Sequence, residues 1–152
     1  MSKKEDIIKT LVRREDILHV WAFAEKHLKK SAKRSDGRMT TADLLSECLS
    51  GESNLWIVYK KEEFPELMGC GITQITHYPT GLKMLNIDHV AGVKQQMWTK
   101  EALEILESFA KDCDCDGVEA VARAGFWSWI KNDEDWHRKA VAFEKRFTDG
   151  VS

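Results

Sequence analysis

An acid and an imidazole stand side by side at Asp88-His89, near the end of a bulky run, Leu82 to Val90, that favours a strand. The unperturbed pKa of histidine lies near neutrality, so His89 can take a proton from a nucleophile, and Asp88 offers a carboxylate for the same task. A histidine at a strand end also serves simply as a hydrogen-bonding side chain, and both readings stay open. The other clusters of reactive side chains carry less. Cys113-Asp114-Cys115-Asp116-Gly117 pairs two thiols with acids, but structural zinc calls for a second cysteine or histidine pair, and the sequence contains none. The same acids lack the glycine and the downstream glutamate at the offsets a calcium loop needs. His19, His27, His77 and His137 are scattered without ligand spacing, so no residue is assigned to a metal.

The elements that must position Asp88 and His89 follow from the hydrophobic pattern. Ile17, Leu18, Trp21, Ala24 and Leu28 recur at helical spacing within Arg14–Lys33, and the basic stretch Lys29–Arg38 closes that helix at its negative end. Thr40 or Thr41 caps a second helix through Leu49, with Gly51 as its stop. The period then shortens. Leu55–Tyr59 and Leu67–His77 read as strands, the turn Tyr78-Pro79-Thr80-Gly81 reverses the chain, and Leu82–Val90 pairs back to complete an antiparallel meander. From Thr99, a plausible N-cap, helical spacing returns with Ala102, Leu103, Leu106, Phe109 and Ala110. Val118–Ala122 then forms a strand, reached by a crossover and therefore parallel to the one before it. A short helix over Phe126–Lys131 and a closing strand over His137–Phe147 end the pattern, and Asp6–Val12 supplies a candidate first strand. The expected fold class is α/β (α+β), a mixed, mostly antiparallel sheet of about six strands with helices on both faces.

Composition restricts the partners. With 23 Lys+Arg against 25 Asp+Glu the chain carries a formal charge of -2, which argues against a dedicated nucleic-acid binder. No apolar run approaches the roughly 18–20 residues that span a bilayer, and the charged N-terminus lacks a signal-type core, so an intracellular protein with reduced thiols and no membrane partner is expected. The length suits one domain.

The order of elements is similar to the GNAT fold of acetyl-CoA-dependent N-acetyltransferases, over nearly the whole chain. More narrowly, Tyr78-Pro79-Thr80-Gly81 and Ala122-Arg123-Ala124-Gly125-Phe126 resemble two short motifs, Tyr-Pro-x-Gly and Gly-Arg-x-Gly-Trp, of small phage-encoded GNAT-like proteins. Gly37-Arg38-Met39-Thr40 resembles that group as well. The resemblance implies acetyl-CoA as cofactor and an amine as acceptor. It places the cofactor against Val90, Ala91, Gly92, Val93, Lys94 and Gln95, where Gly92 can turn the backbone toward a phosphate and Lys94 can add charge. The family's Gln/Arg-x-x-Gly-x-Gly/Ala signature is absent from Val90–Thr99, where Met97 and Trp98 are bulky. It also implies a base at Asp88 or His89, a strand backbone that polarises the thioester carbonyl, and an acid on the helix after the fifth strand. That segment, Phe126–Ile130, has no tyrosine, and Ser128 is the substitute.

GNAT-like folds of phage also occur as internal virion proteins, so the same resemblance allows a catalytically silent protein that assembles with other virion proteins, in the virion rather than the host cytoplasm. Aromatic side chains are enriched at interfaces, and Phe126, Trp127 and Trp129 could join copies into a homo-oligomer or, equally, cover one end of the sheet.

Overall fold

The computed structural model describes residues 6–122 and 124–147. Strand β1 (Ile7–Leu11) leads through a 3-10 turn at Arg14–Asp16 into helices α1 (Ile17–Lys33) and α2 (Thr41–Ser50). Strands β2 (Asn54–Lys60), β3 (Glu66–His77) and β4 (Lys83–Gly92) follow, then helix α3 (Thr99–Asp112), strand β5 (Gly117–Ala120) and helix α4 (Trp127–Ile130). The five strands lie in the order β1-β2-β3-β4-β5, all antiparallel except the parallel β4–β5 pair. The fold class is the expected mixed, mostly antiparallel sheet with helices on both faces; among the described residues it has five strands, against an expected six or so.

Period-2 alternation sorts each strand between two cores. Leu55, Cys70 and Ile72 face one way and pack on Ile17, Trp21, Ala24 and Leu28 of α1 and on Leu44 and Cys48 of α2. Trp56, Leu85 and Ile87 face the other way and meet Leu103, Leu106 and Ala110 of α3 and Ile130 of α4. Helix α2 is fixed at both ends by local chemistry. The Thr40 hydroxyl accepts from the Asp43 amide, the Asp43 carboxylate accepts from the Thr40 amide, and Gly51 closes the helix at φ 87°, which glycine adopts without strain.

Two expectations fail. Thr99 is not a cap: Trp98 holds that position, while Thr99 is buried in the first turn with its hydroxyl unpartnered. The reason lies in Trp98, whose anchorage in the sheet sets the path of the chain and turns Thr99 inward. His137–Phe147 is not a strand. Its partial alternation supplies an apolar row, but among the described residues it makes no ladder with any strand, and a strand without a partner is not a stable element in water.

Candidate functional site

Strand β4 keeps one neighbour along its whole length and loses the other halfway. It pairs with β3 as far as Gly92↔Gly69, but with β5 only from Met84↔Gly117 to Ile87↔Ala120. From Asp88 to Gly92 the β5 side of the strand has no ladder partner among the described residues, so its backbone donors and acceptors on that side are not spent on a neighbouring strand.

The end of that ladder coincides with a bulge. His89 faces Ile72 and Ile87 faces Thr73, so Asp88 is the extra residue with no partner across the ladder. Bulges redirect side chains, and the Asp88 carboxyl reaches solvent while remaining crowded by protein on its other sides. That partial burial, with the Glu47 carboxylate on α2 as the second cause, pushes its pKa up to about 6. Glu47 is itself held above its ordinary value, by burial first and then by Glu52 and Asp43. His89, half-buried, points toward α1, where the Ser31 hydroxyl lies 2.5 Å from its Nδ1. Burial, and then the positive charge of Arg34, lower its pKa, so the imidazole is neutral at pH 7.

The turn off β4 is built around Trp98. Its indole, 2% exposed, lies over Gly69 and Gly92, and its Nε1 donates to the Val93 carbonyl at 2.9 Å. Gly92 sits at φ 153°, and a Cβ there would overlap the Met68 carbonyl and come within 2.6 Å of the Gly69 Cα. Only glycine fits. The residues expected to bind cofactor therefore form one continuous turn. Val90 is half-buried toward α3, Ala91 is buried opposite Cys70, and the Val93 amide donates to Met68. Lys94 is left-handed at φ 52°, and the Gln95 amide nitrogen reaches the Gly92 carbonyl at 3.4 Å. Beyond it, a surface hollow of about 240 Å³ at the start of α3 is lined by Gln96, Met97, Trp98, Lys100, Glu101 and Glu104. Lys9 pairs with Glu101 there at 2.8 Å.

Ser128 stands apart on α4, exposed, and donates to the Gly125 carbonyl at 2.8 Å. Phe126, Trp127 and Trp129 are half-exposed and pack inward against the α3-side core, with Arg138 over the Trp127 ring at 4.9 Å. Arg123 of the family-like motif lies outside the described residues. Among the described residues no group of three acidic, histidine or cysteine side chains is placed to hold a metal.

Sequence reasoning overlooked Ser31 and Glu47. Ser31 had a signal: it falls on the stripe Ile17, Trp21, Ala24, Leu28, so a hydroxyl occupies a core position of an amphipathic helix. Glu47 had none, because nothing local to α2 indicates that β4 bulges beside it.

A parted β4–β5 pair with a helix starting beside the gap defines a recognisable class of fold. Solved structures match it over nearly the whole chain. An aminoglycoside acetyltransferase from an uncultured soil metagenomic sample has a TM-score of 0.70 at 8% identity, covering 95% of this chain and 98% of its own. A predicted acetyltransferase from Clostridium acetobutylicum, solved with acetyl-CoA, scores 0.64 at 13% identity over 92% and 96%. A ribosomal-protein-alanine N-acetyltransferase from Brucella melitensis scores 0.59 at 16% identity over 91% and 99%. No protein-family model and no curated protein sequence matches the chain. The chain has the GNAT fold, and at these identities the likeness is one of fold.

Proposed function

We propose that the β4–β5 cleft transfers an acetyl group from acetyl-CoA to an amine. The observation that carries this reading is the open β4 edge, Asp88–Gly92, which begins at a carboxyl group whose pKa is raised to about 6. Such an edge suits the amide-bearing arm of the cofactor, which can bond to it as a strand would. The first amides of α3 lack helical acceptors and favour an anion, so the diphosphate fits best at the start of that helix, with Lys94 and Lys100 supplying charge. Bound there, acetyl-CoA supplies an activated thioester. The chain's own part is to hold the amine beside Asp88, take its proton on the carboxylate, and present β4 amides to the carbonyl oxygen. The C–N bond forms, the C–S bond breaks, and the released thiolate takes a proton from water, since Ser128 spends its own on Gly125.

One observation favours a second reading. Trp98 is packed where the family resemblance calls for small residues, and a catalytically silent interaction protein, such as a phage virion component, has no need of a phosphate loop. The finer assignment to phage-encoded proteins rests on the Tyr78–Gly81 turn and the segment around Gly125.

Thermal unfolding with acetyl-CoA, coenzyme A and a plain nucleotide separates the two. A ligand that binds only the native state adds about 2.7 kcal/mol at 100 times its Kd. Gly92 is a poor site for the control variant because substitution disturbs the sheet. Lys94→Gly removes the charge and relieves a left-handed residue, so it should raise the unliganded Tm and shrink the CoA shift. No shift at millimolar acetyl-CoA would leave the interaction protein as the better account.

A further inference from the structure

Helix α1 sorts its residues by side, and the side turned to water carries charge of one sign. Trp21, Ala24, Leu28 and Ser31 are buried, the first three in the core against α2 and the sheet and the last against His89. On the opposite side Ala22, Phe23, Lys26, Lys29, Lys30 and Lys33 are all exposed. No carboxylate interrupts this row, because the one acid of the helix, Glu25, turns aside to accept from the Thr41 hydroxyl at 2.8 Å. Among the described residues none of the four lysine side chains has an ion-pair or hydrogen-bond partner; Lys26 alone has a contact, with its Nζ 5.7 Å from the centroid of the Phe23 ring. Like charges three and four residues apart work against a helix, and Lys26 with Lys29, Lys26 with Lys30, Lys29 with Lys33 and Lys30 with Lys33 are such pairs. The helix dipole favours cations in the last turn, which holds Lys30 and Lys33 but neither Lys26 nor Lys29. The formal charge of -2 averages over this row and hides it.

We propose that this face of α1 binds single-stranded nucleic acid, with Lys26, Lys29, Lys30 and Lys33 on phosphates and a base stacked on Phe23. Ammonium groups on flexible stems follow a phosphate backbone, and an exposed ring gives a single strand, whose bases are free, a platform to stack on. Phe23 is 56% exposed and stands at the head of the lysine row, three residues before Lys26. Stacking of this kind is tolerant of sequence, since every base has a π-face. An acidic peptide would satisfy the lysines and leave the ring unused. An anionic bilayer calls for apolar side chains along the whole face, and beyond Phe23 the exposed positions of α1 are lysine alone. The face is separate from the β4 cleft, since α1 meets His89 through Ser31 on its buried side, so binding here does not depend on acyl transfer.

The test is fluorescence anisotropy of a short labelled oligothymidylate titrated with the full chain between about 50 and 200 mM salt. Four phosphate contacts set the slope of log K against log salt at about -3, so affinity should fall about 50-fold over that range. Lys26→Glu should weaken binding by about tenfold or more at the lower salt. Its Tm should be unchanged or higher, because two repulsive pairs become attractive ones. Lys111→Glu makes the same change in net charge at an exposed site on α3, across the sheet, and should leave binding within about twofold. Phe23→Ala should weaken binding by about tenfold with the salt slope unchanged. No binding at the lower salt overturns the proposal, as does an equal loss for Lys26→Glu and Lys111→Glu. Displacement of the oligonucleotide by polyglutamate, or by phosphatidylserine vesicles, at equal charge would give the face to an acidic protein or a membrane and overturn it too.

Discussion

The two halves of β4 obey the same local rules and meet different surroundings. Met84–Ile87 has a strand on each side, and Leu85 and Ile87 are sealed against α3, with Leu85 at 0% exposure. Asp88–Gly92 keeps only β3, and within it stand a carboxyl reaching solvent, a half-buried imidazole and a glycine at φ 153°. The closed half supplies rigidity and the open half supplies free backbone and titratable groups. Chemistry can sit where the ladder stops because the ladder just below it is complete.

That contrast is broken most severely at Asp88. If the open half is catalytic, Asp88→Asn should lower kcat/KM by about 100- to 10,000-fold, the range of a lost general base, with the fold intact. Only the ionised carboxylate accepts a proton, so the wild-type rate should rise with pH through about 6 and the variant should lose that limb. An unchanged pH profile would move the base elsewhere. In the closed half the loss should fall on stability instead. Leu85→Ala opens a cavity between β4 and α3 and should cost about 3 kcal/mol in urea unfolding. Any fall in rate should match the fraction unfolded.

Legibility in the sequence follows the same division. The meander, the α1 stripe, the Thr40–Gly51 boundaries and the parallel return of β5 were readable because each is written in local period or capping chemistry. Asp88 and His89 were visible as residue types, but the bulge that separates them was not, since it depends on how β3 and β4 twist past each other. Trp98 looked like an obstruction beside the phosphate turn. Its burial over Gly69 and Gly92, residues 23 positions apart in the chain, is a tertiary fact that no window around Trp98 contains. His137–Phe147 read as a strand because alternation reports a face and says nothing about a partner.

At the junction of turn and strand, Gly92→Ala should cost about 2 kcal/mol, since the new Cβ meets backbone of β3 that cannot swing aside and the conformation is one that side chains rarely adopt. Val93→Ala next to it, on a side chain 53% exposed, should stay within about 0.5 kcal/mol. Equal effects at the two positions would mean that the backbone of β3 yields to a Cβ at the Gly69–Gly92 contact.

The smallest effect is the most discriminating, because Asp88 and His89 are neighbours with opposite linkage. The folded pKa of Asp88 is raised from 3.8 to about 6, so the native state binds the extra proton; this contribution is full below pH 3.8 and is lost as pH rises to about 6. The folded pKa of His89 is lowered from 6.5, so its contribution is full above pH 6.5 and is lost as pH falls from there toward the folded value. Near pH 6 the wild-type slopes should therefore partly cancel. Asp88→Asn should remove one of them, leaving stability that falls on acidification, and should gain about 1 kcal/mol at pH 7 once solvent screening at this accessible group is allowed for. His89→Gln should expose the opposite slope. Ser31→Ala takes the hydroxyl from Nδ1 and should cost about 1 kcal/mol at pH 7, where the imidazole is neutral and relies on that bond. Urea midpoints across pH 4.5 to 7.5 for the wild type and these variants measure all three, and parallel curves for Asp88→Asn and His89→Gln would show that the two side chains do not differ in environment as the bulge requires.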